Sequence, residues 1–189
     1  MKKDILMVGV GGQGIVLASD ILCDVALLEG YDVKKSEIHG MAQRGGSVVS
    51  HVRIGEKVYS PVIPLGEADI IVSYEYMEFL RYLEYKNTNT ILVLNINRIY
   101  PPSVAMGEVD YPDELIDKEK KNFDKLYELN ALEIAKKAGN VKVVSTVLLG
   151  AVAKILPFKK DSWYEVIKMR VPNKVVDVNI KAFDLGYAH

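Results

Sequence analysis

Apolar residues run almost unbroken from Ile5 to Val10 and then meet a cluster of glycines. A run of that length predicts a strand buried on both faces, as in a parallel sheet. Beyond the glycines, Ala18, Ile21, Leu22, Val25 and Leu28 recur at helical spacing, and Gly30 marks where that helix stops. "YDVKK" reads as a second strand, which completes a strand–helix–strand crossover. Two β-rich runs follow, "SVVSHVRIG" and "EKVYSPVI", meeting at Gly55 and Glu56. They predict an antiparallel hairpin inserted after the second strand.

Parallel order then resumes. "ADIIVSY" and "TILVLN" are short apolar runs expected of buried strands, and "EYMEFLRYLEY" between them predicts an amphipathic helix with Tyr76, Leu80 and Leu83 on its inner side. Pro101 and Pro102 end this second repeat. From Glu108 to Glu128 the chain carries eight acids and four bases, which predicts a solvated loop and helix. "NALEIAKKAGN" has an Asn start and a Gly stop, "STVLLGAVAKIL" is apolar enough to be a buried helix, and "DSWYEVIKMR" and "PNKVVDVNIKAFDLG" close the chain as further helices. The pattern is that of one α/β domain over residues 1–189, with a mostly parallel sheet, an inserted β-hairpin and a C-terminal helical segment. No internal repeat or low-complexity tract interrupts it.

Composition narrows the functional classes. A chain of 189 residues that is 49% hydrophobic can bury a sizeable core. Its 24 Lys+Arg against 25 Asp+Glu leave no net field to recruit nucleic acid or a membrane surface. No apolar run approaches membrane length, and the apolar start after "MKK" is too short for a secretion signal. The single Cys23 excludes an internal disulfide and cannot alone hold a four-cysteine zinc or iron–sulfur site. Together these features point to a cytoplasmic protein with no metal site of its own.

Candidate chemistry gathers at two places. Gly9, Gly11 and Gly14 fit G-x-G-x-x-G between a predicted strand and helix, with Gly12 and Gln13 inside the turn. Such a turn lets the backbone approach a phosphate, and the helix start supplies free N–H groups. An NAD site also needs an acid at the end of the second strand, where this chain reads Lys34-Lys35-Ser36-Glu37. The glycines therefore read either as a nucleotide loop or as a purely structural turn. The second place is "SEIHGMAQRGGSVVSHVRIG", in which His39, Gln43, Arg44, Gly45 and Gly46 fall at the expected carboxyl edge of the sheet. Arg44 could clamp a carboxylate or phosphate and His39 could move a proton; equally, Arg44 could pair with a neighbouring acid and His39 could be a surface residue. His51, alternating within a strand, and Cys23, on an apolar helix face, read as structural. No residue set reads as catalytic.

"GVGGQGIVLASDIL", "SEIHGMAQRGGSVVSHVRIG", "VYSPVIPLGEADIIV", "NALEIAKKAGN" and "PNKVVDVNIKAFDLG" together resemble the beta-subunit family of indolepyruvate:ferredoxin oxidoreductases over nearly the whole chain. The same domain is similar to the gamma subunit of pyruvate and other 2-oxoacid ferredoxin oxidoreductases. "EIHGMAQRGG" places the resemblance in the arylpyruvate branch. Two features depart from the family pattern: Ser145-Thr146 stands where many relatives have an asparagine, and residues 127–130 are more irregular than usual.

The resemblance implies a Rossmann-like fold and a small subunit that is inactive alone. It implies the reaction of an arylpyruvate with coenzyme A and oxidised ferredoxin to give aryl-acetyl-CoA, carbon dioxide and reduced ferredoxin. Thiamine diphosphate, magnesium and [4Fe–4S] clusters are implied on a large catalytic subunit, with ferredoxin reached through the complex. This agrees with the chain's single cysteine and its lack of a G-D-G diphosphate motif.

Overall fold

The computed structural model describes residues 1–40 and 46–189. Six strands form one sheet: β1 (Lys3–Val10), β2 (Asp32–His39), β3 (Ser47–Gly55), β4 (Ala68–Ser73), β5 (Lys86–Asn95) and β6 (Lys125–Leu129), in the spatial order β2-β3-β1-β4-β5-β6. The pairs β1/β4, β4/β5 and β5/β6 are parallel, whereas β3 runs antiparallel to both β1 and β2. Helix α1 (Ile15–Leu28) follows β1. The short helices α2 (Pro102–Ala105) and α3 (Asp113–Glu119) lie between β5 and β6. The chain then closes with α4 (Ala131–Ala138), α5 (Val144–Ile155), α6 (Lys160–Arg170) and α7 (Val176–Ala188).

β1 shows why the apolar run has no polar alternation. Ile5 and Met7 face a core built with α1, α5, α6 and α7, while Leu6 and Val8 face a second core with Val49, Phe79, Leu92 and Phe123. Both faces of the strand are covered, so every position from Ile5 to Val8 is fully buried. The helical side is the larger layer, and α5 is buried along almost its whole length, as its apolar sequence predicts. Asn130 caps α4 by accepting from the Glu133 N–H, and Gly139 ends it. No helix among the described residues is long and apolar enough to cross a membrane.

Four local expectations are corrected. The hairpin exists, but its second arm is not "EKVYSPVI": residues 56–63 form no strand, and β3 pairs instead with β2, Ile38 opposite Val49 and Asp32 opposite Gly55. The antiparallel partner precedes β3 because Pro61 and Pro64 break the later run, whereas "DVKKSEIH" offers eight residues free of proline and glycine. As a result β3 separates β1 from β2, and the first strand–helix–strand unit spans an intervening strand. "EYMEFLRYLEY" forms 3-10 turns over Glu78–Tyr85, kinked at Tyr82, rather than an α-helix. Within the acidic stretch, β6 pairs Leu126 with Leu92 and Tyr127 with Val93, so residues 125–129 are a regular edge strand.

Candidate functional site

β1, β2, β4 and β5 all end on the same edge of the sheet, where open α/β folds place ligands. There a cleft of about 690 Å³ is lined by residues 10–16 of the glycine turn and by His39, Gly40 and Val48. The cleft thus brings Gly11, Gly12, Gln13, Gly14 and His39 together. Gln43, Arg44 and Gly45 lie outside the described residues, but their described flanks Gly40 and Gly46 both adjoin this site.

The turn is built from backbone geometry that few side chains allow. Gly12 and Gly14 adopt φ values of 96° and 77°, in the left-handed region. Gly9 is needed for space: a Cβ there would meet Gln13 Oε1 at 2.5 Å and Tyr74 Cβ at 2.8 Å. Gly14 packs over Ser145 of α5, whose Oγ lies 2.9 Å from where a Cβ would stand. Thr146, the other half of the departure from the family pattern, donates to Asn179 Oδ1 at 2.6 Å and joins α5 to α7.

Several of the turn's polar groups already have partners. The Gly11 N–H donates to the Gly46 carbonyl at 2.9 Å, so the residue before β3 is held against the turn. Gln13 is a brace: its Oε1 accepts from the Val10 N–H and its Nε2 donates to the Tyr74 carbonyl, each at 2.8 Å. The same carbonyl accepts from Asn95 Nδ2, whose Oδ1 accepts from the Ala131 N–H at 3.1 Å. A chain of amides therefore ties together the ends of β1, β4 and β5. What stays open is the start of α1, which has no side-chain cap. Its first intrahelical donor is Ala18, bonded to Gly14, which leaves the N–H groups of Ile15, Val16 and Leu17 without helical acceptors. These open donors give the turn affinity for an anion.

Glu37, the acid near the end of β2, is engaged by neighbouring side chains. Glu37 is held by Lys35 Nζ at 2.7 Å, and Lys35 also binds Asp20 at 2.5 Å and Ser19 at 3.4 Å. Burial opposes the charge on Glu37, but Lys35, His39 and Ser19 outweigh it and hold the carboxyl below its ordinary range. For Lys35, burial is likewise overcome by Asp20 and Glu37, and its pKa is raised. β3 also moves β2 a full strand spacing away from the glycine turn. His39 is half exposed, with Nε2 3.5 Å from Glu37.

The residues read as structural are so. His51 is buried, accepts from the Ile63 N–H through Nδ1 at 3.3 Å and meets Tyr85 edge-on. Burial pushes the Cys23 thiol up to about 12, which makes it a poor nucleophile. Among the described residues no group of three or more His, Cys, Asp and Glu is placed to hold a metal ion, and one cysteine does not fit a four-iron cluster.

Two buried acids at this edge were not anticipated. Glu78 accepts from Ser47 Oγ at 2.8 Å and from Arg81 Nε at 3.1 Å. Glu75 accepts from the Met77 N–H at 2.7 Å, the Ile99 N–H at 3.0 Å and the Tyr111 hydroxyl at 2.7 Å. In sequence both lie in a segment read as an amphipathic helix, where acids are assigned to solvent. The i,i+3 spacing of Glu78 and Arg81 is a local signal of their ion pair, whereas no local signal points to the partners of Glu75.

Comparison with known proteins adds the lineage. Residues 4–189 match the family model described as pyruvate ferredoxin/flavodoxin oxidoreductase. The chain is 43% identical to the indolepyruvate oxidoreductase subunit IorB of Archaeoglobus fulgidus, covering 99% of this chain and 94% of that one. It is 41% identical to the subunit of the same name from Thermococcus kodakarensis, covering 98% and 95%. To the pyruvate/ketoisovalerate oxidoreductases common subunit gamma of Pyrococcus abyssi it is 28% identical, covering 92% and 89%. Its fold is similar to the crystal structure of pyruvate oxidoreductase subunit PORC from Thermotoga maritima, with a TM-score of 0.75 at 23% identity, covering 100% and 96%.

Proposed function

Since the chain belongs to the pyruvate ferredoxin/flavodoxin oxidoreductase family, we propose that it is the small subunit of a ferredoxin-dependent arylpyruvate oxidoreductase of the indolepyruvate type. The observation that carries this reading is the difference in identity: 43% and 41% to subunits named for indolepyruvate, against 28% to a gamma subunit shared by pyruvate and ketoisovalerate enzymes. The reaction is oxidative decarboxylation. An arylpyruvate and coenzyme A give aryl-acetyl-CoA, carbon dioxide and a proton, while two one-electron ferredoxins are reduced.

Thiamine diphosphate, magnesium and [4Fe–4S] clusters belong on a large catalytic partner in this reading. It is supported by a site whose described residues hold backbone donors, glycines and a structural brace, and by a single cysteine, which cannot ligate a four-iron cluster. The carboxyl-edge cleft, with Gly11, Gly12, Gln13, Gly14 and His39, is read together with Gly9 and the sequence neighbours Gln43, Arg44, Gly45 and Gly46 as the face offered to coenzyme A or to the partner. The open α1 terminus and the arginine suit an anion in either case. The complex is placed in the cytoplasm, where both coenzyme A and ferredoxin are available.

The test is reconstitution. The chain is co-expressed with a candidate large subunit, the complex purified, and ferredoxin reduction assayed in parallel with indolepyruvate, phenylpyruvate and pyruvate. The expected result is a stable complex that prefers the aryl substrates; faster turnover of pyruvate, or no complex, would overturn the reading.

A further inference from the structure

Between β5 and β6 the chain makes a long excursion beside the same sheet edge, and its base is rigidly held. Buried Glu75 binds the Ile99 N–H and the Tyr111 hydroxyl, fixing two points of the excursion, residues 99 and 111, to the end of β4. Arg98 lies between the rings of Tyr76 and Tyr111, 5.3 and 5.1 Å from their centroids, and pairs with Asp113 at 2.6 Å. Tyr100 meets Tyr111 edge-on. Such cation–π and charge-assisted contacts preorganise a surface before anything binds it.

The outward face of this held segment is unusual for a solvated loop. Ile99, Tyr100, Met106, Val109 and Leu115 are exposed, Met106 by 67%. From residue 99 to 117 there are five acids and no base. A hollow of about 480 Å³ lies over Asp110, Pro112, Glu114 and Leu115. Asp113 is taken by Arg98, but among the described residues Glu108, Asp110 and Glu114 have no ion-pair partner. A narrow slot of about 110 Å³, bordered by Val10, Ser47, Arg81, Tyr100 and Pro101, makes the face continuous with the glycine-turn end of the sheet.

We propose that residues 99–115 form the docking face for the large catalytic subunit, which meets it with arginine or lysine side chains around an apolar centre. Charge complementarity selects this occupant: exposed apolar groups ringed by acids attract a basic surface and repel an acidic one such as that of a second copy of the same face. The side chains are prearranged, so docking there sets the partner against the coenzyme-facing edge without reordering this chain. The proposal rests on the reading of the chain as a small subunit.

The test measures association of the purified full-length chain with the purified large subunit by surface-immobilised binding at several salt concentrations. Asp110→Lys with Glu114→Lys should raise Kd by about tenfold or more, mainly by slowing association, and should flatten its salt dependence. Met106→Ser with Leu115→Ser should raise Kd with the salt dependence kept. Glu56→Lys with Glu165→Lys makes the same change in charge away from this face and should leave Kd within about twofold. Melting curves confirm that each variant is folded. Unchanged binding by the first two variants, or equal weakening by the third, overturns the docking face while leaving the subunit reading intact. Failure of the parent chain to bind the large subunit overturns both.

Discussion

Gly150 of α5 and Gly186 of α7 bring the two helices into backbone contact. A Cβ at Gly186 would overlap the Val147 carbonyl, and one at Gly150 would overlap the Phe183 carbonyl and stand 2.7 Å from the Tyr187 nitrogen. The neighbours are backbone atoms, so no side-chain rotation can relieve the clash. Close packing of this kind fixes where α7 lies and, through Thr146 and Asn179, keeps the two helices in register beneath the sheet.

Gly186→Ala should therefore destabilise the chain by about 1–3 kcal/mol or more, the range for forcing extra volume into a packed core. Thermal melting of the purified variant measures it. Gly150→Ala combined with Gly186→Ala should cost less than the sum of the two, because once the helices are pushed apart the second methyl meets less resistance. Full additivity would show that the two glycines act separately.

Gln13→Ala removes both arms of the brace between β1 and β4. Tyr74 keeps Asn95 as a donor, but the Val10 N–H is left without its acceptor, so the expected loss is about 1–3 kcal/mol. Gln13→Glu keeps the acceptor and sets a carboxylate against the Tyr74 carbonyl. That raises the folded-state pKa of the new acid above its unfolded value, so this variant should gain stability relative to the parent as pH falls. Denaturant melts at pH 7 and at pH 4.5 check both expectations.

His51 makes segment 56–63 sensitive to acid. Burial lowers its pKa below the ordinary 6.5, and its Nδ1 must be unprotonated to accept from the Ile63 N–H. The unfolded chain takes up the proton more readily, so the contribution of this contact is fully present above pH 6.5. It is lost as pH falls through the folded value. Amide exchange at Ile63, corrected for its intrinsic pH dependence, should accelerate below that point, and His51→Gln should abolish the pH step.

Read as a binding residue, Arg44 should be replaceable by alanine with the melting curve of the isolated chain kept within about 0.5 kcal/mol of the parent. In the reconstituted complex Arg44→Ala should either raise the coenzyme A requirement with normal assembly or weaken co-purification. Arg44→Lys should be intermediate, because it keeps the charge but loses the two-point fork. An alanine variant that assembles and turns over like the parent at limiting coenzyme A would remove Arg44 from the functional face.

Much of this could be read along the chain. β1, α1 and the apolar α5 follow from local periodicity, and the Asn130 and Gly139 signals bound α4 to the residue, because helix ends are set by groups only three or four positions apart. The glycine turn and the position of His39 at a strand end were legible for the same reason. Lineage too was carried by local strings such as "SEIHGMAQRGG".

Tertiary structure decided which strand β3 joins: both β2 and residues 56–63 were read as β segments, and although Pro61 and Pro64 weaken the later run, the pairing itself is set only in the assembled sheet. It also decided that Gln13 braces β1 to the end of β4, through a carbonyl 61 residues away. Glu75 likewise anchors a distant excursion, from inside a segment whose periodicity assigned acids to solvent. Hydrophobic pattern records which residues are buried, and local sequence records how turns begin and end. The partner of a buried polar group is chosen by the whole fold, because any donor brought within about 3 Å satisfies it equally well.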